Sequence, residues 1–136
     1  MLSPILWRLY SCISFSRIDA FMSSVISIKN IQKVFGEAEN AFKALKGVSL
    51  DVKKNEFISL MGGSGSGKST LLNIIACLDS PSEGIYFLNN TDVEKLDDDE
   101  LAKLRNEEIG IVFQNFNLLP KKKAWENVAL PLVYSK

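Results

Sequence analysis

Apolar and polar residues alternate in two stretches of the chain. Residues 25–29 read VISIK and residues 48–52 read VSLDV, so every second side chain is apolar in both. A period of two places alternate side chains on opposite faces of a sheet. The segment between them, which includes GEAENAFKAL, is polar enough to be a connection. The pattern therefore predicts two half-buried strands joined by a polar loop.

Other apolar runs show no such alternation. Residues 56–61 (EFISLM) and 109–113 (IGIVF) are short and almost continuously apolar, which is typical of parallel strands covered on both faces. Residues 69–78 (STLLNIIACL) are apolar on most sides of a helix and predict a buried helix. Residues 79–84 (DSPSEG) are typical of a turn, and the IYFL that follows predicts another strand.

Two further helices are predicted near the end of the chain. Asp97 and Glu100 have the spacing of a capping box at the start of DDDELAKLRNEE, which predicts a surface helix. AWENVAL predicts a last helix that Pro131 should limit, because proline cannot donate a helical hydrogen bond. Strand, loop, helix and strand in this order predict an α/β fold with a parallel core and an antiparallel contribution from the early strands.

The loop MGGSGSGKST follows the apolar run FISL directly and carries the clearest chemistry in the sequence. Gly62, four further residues, then Gly67, Lys68 and Ser69 match the phosphate-binding loop pattern. In such a loop the backbone N–H groups point inward at one anion, and side chains would block the approach. The following helix adds partial positive charge at its N-terminus, so we expect a phosphate chain to bind here.

Each polar side chain of the loop has an expected role. Lys68 supplies a full positive charge to the outer phosphates, Ser69 is placed to ligate Mg²⁺, and Thr70 can bond an inner phosphate. The alternative interpretation is a glycine-rich turn that binds nothing. The predicted phosphate-binding residues are Gly62, Gly63, Ser64, Gly65, Ser66, Gly67, Lys68, Ser69 and Thr70.

Composition narrows the classes of protein to consider. The 136 residues are 46% hydrophobic, which suits one globular domain, and the formal net charge of zero argues against a nucleic-acid partner. Cys12 and Cys77 are two isolated thiols and indicate a reducing, cytosolic setting. The sequence contains no histidine, which excludes Ser-His and Cys-His nucleophiles and histidine-containing zinc sites.

Residues 1–21 differ from the rest of the chain in their pattern of apolar and charged residues. Arg8, Arg17 and Asp19 interrupt the apolar character, so the segment matches neither a signal peptide nor a membrane span. We predict a leader outside the fold, with translation starting at Met22 and residues 22–136 forming part of one domain. A membrane-contacting leader and an ordinary disordered tail are the alternatives.

Longer motifs carry a family resemblance. The run from ALKGVSLDV through ACLDSPSEG, followed by IGIVFQNFNLLP and ENV, resembles the ATP-binding subunit of ABC transporters. The resemblance covers residues 24–134 and is greatest for the bacterial subgroup of lipoprotein release and macrolide efflux. It implies a P-loop NTPase fold with a parallel core and an antiparallel β subdomain. It also implies an ATPase that couples MgATP binding and hydrolysis to export or release of a substrate. Such an ATPase works as a homodimer beneath transmembrane permease subunits, on the cytoplasmic face of the plasma membrane.

The resemblance also assigns roles to single residues. Phe35 matches the aromatic residue that stacks on adenine, where the family usually has tyrosine; the alternative is a core aromatic. Gln114 matches the family's glutamine that approaches Mg²⁺ and the attacking water; the alternative is a strand-end polar residue facing water. The segment after Gln114 would dock on the permease subunit.

The chain departs from the family pattern at several places. Gly63 replaces a common proline, which loosens the loop, and Lys123 stands where a threonine often caps the next helix. Lys123 also extends a basic run, residues 121–123, which is either a solvated face or a contact for lipid headgroups or an acidic surface.

The sequence does not continue into the LSGGQ signature, the Walker B aspartate, the catalytic glutamate or the switch histidine. We therefore expect a cassette truncated before these regions, with an apolar edge and face left open and a tendency to aggregate. Two interpretations stay open: an ATPase subunit represented by its front part, and a remnant that binds nucleotide without turnover. A different phosphate-loop enzyme, such as a small kinase, is a third.

Overall fold

A four-stranded antiparallel sheet is the centre of the structure, a computed structural model that describes residues 24–133. The predicted leader and the predicted start at Met22 lie outside the described residues. The strands have the spatial order β2-β1-β3-β4. They are β1 (Ser24–Phe35), β2 (Phe42–Lys53), β3 (Glu83–Leu88) and β4 (Thr91–Asp92).

The two alternating stretches form strands, as predicted, and the structure pairs these strands as the long hairpin of β1 and β2. Ile28 pairs with Leu50 across the two strands. The hairpin extends further than the alternation indicated, because Phe42 pairs with Phe35 at its far end. The prediction that all of GEAENAFKAL is a connection is therefore wrong for its last four residues, which belong to β2. Backbone pairing with β1 outweighs the polar composition of this segment.

Three α-helices follow in the chain. They are α1 (Lys68–Ile75), α2 (Asp98–Glu108) and α3 (Ala124–Val133), and short 3-10 turns lie at Ala38–Asn40 and Val93–Lys95. The predicted capping box of α2 is present: the Glu100 N–H donates to Asp97 Oδ1 at 2.8 Å, and the Asp97 N–H donates to Glu100 Oε2 at 3.0 Å. Both bonds satisfy N–H groups that a helix start would otherwise leave unpaired.

The core lies between the sheet and α1. Its largest fully buried side chains are Ile28, Ile31, Ile74 and Tyr86. The Tyr86 hydroxyl donates to the Ile75 carbonyl oxygen at 2.8 Å, so the one polar atom of this buried ring is satisfied. The core anchors the helix that follows the glycine-rich loop and thereby fixes the end of that loop.

α1 is shorter and less buried than the sequence predicted. It ends at Ile75, and only Leu71 and Ile74 of its residues are buried. Leu72 and Leu78 are about half exposed. The prediction of a helix buried on most sides is wrong for the described residues, because the sheet covers only one side of α1.

The two predicted parallel strands do not form in the described part of the chain. No strand is assigned to residues 56–61 or 109–113, and Phe57, Met61 and Val112 are exposed. A parallel strand obtains all its hydrogen bonds from neighbouring strands. Residues 24–133 supply no neighbouring strand for either of these two segments. Leu60 and Ile109 still pack against the core, which keeps both segments beside it.

The last helix passes through Pro131 rather than ending before it. The prediction that Pro131 limits the helix is therefore wrong, since α3 runs to Val133. Pro131 is near the end of α3, where it removes only the hydrogen bond to the Asn127 carbonyl. Glu126 caps the start, because its carboxylate accepts from the Lys123 N–H at 2.7 Å. Within residues 24–133, no helix combines the length and apolarity needed to cross a membrane.

Candidate functional site

A cavity of about 210 Å³ lies where the glycine-rich loop meets the end of the β1–β2 hairpin next to its connecting loop. Phe35, Phe42 and Ala44 line it from the hairpin, and residues 65–70 line it from the loop and the start of α1. Aromatic rings therefore form one side of the cavity, and backbone amides with small polar side chains form the other.

The loop reaches this cavity through two left-handed residues. Gly65 has φ 75° and Gly67 has φ 86°, a region that side chains rarely adopt. A Cβ on Gly67 would lie 2.8 Å from both the Ala44 carbonyl oxygen and Leu45 Cδ2. The loop therefore packs directly on the β2 backbone, and alternation of left-handed and other conformations forms a nest of N–H groups.

The start of α1 adds positive potential to the same cavity. Gly67 is the N-cap and has no side chain to cap the helix, while its carbonyl accepts from the Leu71 N–H at 2.9 Å. The N–H groups of Lys68, Ser69 and Thr70 therefore have no partner within the helix. Such a helix terminus attracts anions through its free N–H groups and its dipole.

Lys68 is the one formally charged residue among those described as lining the cavity. Its ammonium donates to the carbonyl oxygens of Gly62 at 2.9 Å and Gly63 at 2.5 Å, and it lies 3.2 Å from Ser66 Oγ. The side chain therefore curls over its own loop and keeps its charge next to the nest.

Phe35 lies at the cavity rather than in the core. Phe35 is 44% exposed and does not belong to the core cluster. The Lys33 ammonium lies over the ring, 5.2 Å from its centroid. That ammonium is held at 2.6 Å from Asp79 Oδ1 and 2.7 Å from the Ser80 carbonyl oxygen. Lys33 therefore connects the ring to the turn after α1.

The structure brings together most, but not all, of the predicted site residues. Phe35 and residues 65–70 line one cavity, whereas Gly62, Gly63 and Ser64 lie earlier in the loop and do not line it. Gln114 is exposed and is likewise absent from the lining. Phe42 and Ala44 were not predicted from the sequence. The signal that could have found Phe42 is the hairpin register, which pairs it with Phe35.

The donor set suits Mg²⁺ bound together with phosphates. Among the described residues, no group of three or more acidic, cysteine or histidine side chains could hold a metal ion alone. Mg²⁺ usually takes one or two protein oxygens and completes its shell with phosphate oxygens and water. The Ser69 hydroxyl is one such oxygen at the cavity, while Gln114 does not reach it in this structure.

Comparisons with known proteins agree with this geometry. A family model described as "ABC transporter" matches residues 45–136. The chain is 53% identical over 110 residues to the uncharacterized ABC transporter ATP-binding protein MJ0796 of Methanocaldococcus jannaschii, covering 81% of this chain and 47% of that protein. It is 52% identical over 112 residues to the macrolide export ATP-binding/permease protein MacB of Bdellovibrio bacteriovorus, covering 82% of this chain and 17% of that protein.

Solved structures give the same result. The chain matches a dimeric post-hydrolysis state of the ATP-binding cassette MJ0796 bound to ADP and Pi, with a TM-score of 0.76 and 51% identity. This match covers 82% of the chain and 48% of that structure. These matches confirm the fold class predicted from the sequence, an α/β cassette with an antiparallel subdomain. The chain spans about half or less of the length of these relatives.

Proposed function

Because the chain belongs to the ABC transporter family, as its match over residues 45–136 shows, we propose that it binds MgATP in the cavity beside the glycine-rich loop. The phosphates would lie against the backbone N–H groups of residues 65–70, and Lys68 would neutralise their outer charge. The observation that carries the proposal is this nest of amides at the start of α1, with Lys68 beside it and Phe35 on the same cavity.

Phosphate binding requires a local exchange of partners. Lys68 donates to neutral oxygens of its own loop. Charged phosphate oxygens accept stronger hydrogen bonds than carbonyl or hydroxyl oxygens do. We expect Lys68 to turn from the loop to the phosphates, and Ser69 to supply a hydroxyl oxygen to Mg²⁺. The metal, when bound, neutralises charge on the phosphate oxygens.

The adenine would stack on Phe35. The ring is exposed at the cavity and Lys33 holds it in place. A phenyl ring offers the same kind of π face as tyrosine, so the replacement of the usual aromatic keeps the stacking surface. Gln114 would approach Mg²⁺ and the attacking water after a movement of its segment, since it does not line the cavity.

The activity of the relatives belongs to proteins of which this chain spans about half or less. We propose that this protein hydrolyses ATP and couples hydrolysis to substrate export or release. The post-hydrolysis cassette with ADP and Pi supports hydrolysis, and the macrolide export relative supports macrolide-type export. Release of lipoproteins is the other substrate class. The alternative is binding without turnover, which is favoured by one observation: no carboxylate lines the cavity among the described residues.

Transmembrane permease subunits are the proposed partners, with the segment after Gln114 as the docking region. Phe116 is 88% exposed and Leu118 is 64% exposed in this segment. The permease-containing relative and the dimeric cassette support this assembly, in which two copies of the cassette pair. The protein would then lie in the cytoplasm, on the inner face of the plasma membrane.

Equilibrium dialysis with labelled ATP and Mg²⁺ tests the binding proposal. The wild-type chain and K68A are compared with K54A, which removes a charge from an exposed turn outside the cavity. We expect K68A to weaken ATP binding at least about tenfold, since a charge-assisted hydrogen bond contributes roughly 1.5–3 kcal/mol. K54A should bind like the wild type. Equal affinity of K68A and wild type would refute the site.

A phosphate-release assay on the same samples separates the two interpretations of activity. Turnover that K68A abolishes would support an ATPase, and tight binding with no release of phosphate would support binding alone.

A further inference from the structure

We propose that Phe42 forms a second aromatic wall of the nucleotide site, so that two phenyl rings of the hairpin hold the base between them. The inference rests on the proposed function, since it concerns the base of the nucleotide whose phosphates bind the loop. It assigns a role to a residue that neither the loop motif nor the family resemblance singled out.

The hairpin register carries the first step. Phe35 is the last residue of β1, Phe42 is the first residue of β2, and the two are paired across the strands. Residues directly opposite in an antiparallel pair point to the same face of the sheet, with Cβ atoms about 4.5–5.5 Å apart. Both rings therefore leave the hairpin on one side, close enough to contact the same small ligand.

Exposure carries the second step. Phe35 is 44% exposed and Phe42 is 61% exposed, although both are large apolar side chains. Both line the same cavity as the phosphate-binding residues 65–70. Two exposed rings on one small cavity are an apolar surface that a flat, apolar-faced ligand would cover.

The anchoring of Phe35 carries the third step. Lys33 occupies one face of the Phe35 ring, and Asp79 and the Ser80 carbonyl hold its ammonium there. A base can then stack only on the other face of this ring. Phe42 is the remaining aromatic residue of the described lining, so it is the group that can cover the far side of that base.

The position of the two rings relative to the loop carries the last step. Ala44 lies two residues after Phe42 on β2, and its carbonyl packs against Gly67 of the loop. The strand that carries Phe42 is therefore the same strand that supports the phosphate-binding loop. A nucleotide whose phosphates lie in the loop has its base directed to the end of that strand.

The test compares two ligands, ATP and inorganic tripolyphosphate, each with Mg²⁺, by equilibrium dialysis. Tripolyphosphate contacts the loop and has no base to stack. The variants are F42A, F42L and F42W, and the matched control is F57A, which removes an exposed ring outside the cavity. Circular dichroism checks that each variant keeps its secondary structure.

We expect F42A to weaken ATP binding about tenfold, the fold-change that corresponds to base stacking on one aromatic ring, and to leave tripolyphosphate within about twofold. F42L keeps the bulk without the ring and should also weaken ATP, which covers the case of an unfolded F42A. F42W should retain ATP affinity, and ATP but not tripolyphosphate should quench the additional tryptophan fluorescence. F57A should match the wild type for both ligands.

Three outcomes would overturn the inference. Wild-type ATP affinity in F42A and F42L would remove Phe42 from the base site and leave the proposed function standing. Equal loss of ATP and tripolyphosphate would mean that Phe42 supports the loop rather than the base. A wild-type chain that binds neither ligand would overturn the proposed function and this inference together.

Discussion

Lys33 and Asp79 form an ion pair of 2.6 Å between the end of β1 and the turn that follows α1. The side chains are 14% and 32% exposed, so water screens the pair only in part. Lys33 also covers the Phe35 ring. One ammonium group therefore connects the sheet, the helix turn and the aromatic wall of the proposed nucleotide site.

Replacement of this lysine by methionine should destabilise the fold. K33M leaves Asp79 without its cation and the Ser80 carbonyl without a donor, so we expect the free energy of unfolding to fall by about 1–3 kcal/mol. Urea denaturation at low protein concentration measures it. K103M is the control, because the Lys103–Glu107 pair is 4.0 Å apart and exposed, and such pairs contribute about 0.5 kcal/mol or less. Equal effects would contradict the assigned role of Lys33.

Glycine should be required at one loop position and dispensable at another. A Cβ on Gly67 meets the Ala44 carbonyl at 2.8 Å and the backbone is left-handed, whereas a Cβ on Gly63 meets nothing within 4 Å. We expect G67A to lose tripolyphosphate binding and about 1–3 kcal/mol of stability, and G63A to keep both. The two variants are compared by dialysis and urea denaturation. Wild-type binding and stability in G67A would show that the loop does not need this conformation.

Stability should fall at alkaline pH. Burial raises the pKa of the Tyr86 hydroxyl above its ordinary value of 10.0 and that of the Cys77 thiol above 9.0. The folded chain thus holds these protons more tightly than the unfolded chain does. Stability is unaffected by them below about pH 9 and then falls by up to about 1.4 kcal/mol per pH unit for each group.

Urea denaturation from pH 7 to 11 measures this dependence. Y86F should start less stable by about 1 kcal/mol, because it loses the hydrogen bond to the Ile75 carbonyl. It should also show a shallower decline above pH 10. An identical alkaline slope in Y86F and wild type would exclude Tyr86 as a source of the effect.

The capping box of α2 should stabilise the fold locally. D97A removes the acceptor for the Glu100 N–H, and we expect a loss of about 1 kcal/mol. D98A is the control, since Asp98 is in the first turn but is not the cap. Its loss should be no more than about 0.5 kcal/mol through the helix dipole. Equal losses, again by urea denaturation, would mean that charge rather than the cap bond matters.

The chain should associate with itself in solution. Phe57, Met61 and Val112 are each at least 89% exposed and belong to segments with the composition of buried strands. Large exposed apolar surface drives association. Analytical ultracentrifugation should show concentration-dependent species larger than 15.2 kDa, and V112D should reduce them. A monomer at all concentrations would contradict this prediction.

Local signals in the sequence account for the parts of the fold that were predicted. The alternation in β1 and β2 and the Asp97–Glu100 spacing are each complete within a few residues, and the structure contains both features. The glycine pattern likewise predicted a loop that leads into a helix, and α1 begins at Lys68. These features depend on neighbours in the chain, which a sequence displays directly.

Relations between distant segments account for what was missed. Residues 56–61 and 109–113 have strand composition, but strand hydrogen bonds need partners that the described residues do not supply. Phe42 was overlooked because its place opposite Phe35 depends on the register of the whole hairpin. Gln114 has a motif position but no structural partner at the cavity, so its role stays a prediction.

The contact between Gly67 and Ala44 determines how long a ligand must be to reach both the loop and the Phe42 ring. The strand that buttresses the loop also carries Phe42, so the distance from loop to ring is set by two residues of strand. Slipping β2 by two residues would move the ring by about 7 Å along the strand. A molecule could then reach the loop or the ring but not both. An insertion or deletion between residues 42 and 44 should therefore separate the Phe42 ring from the loop.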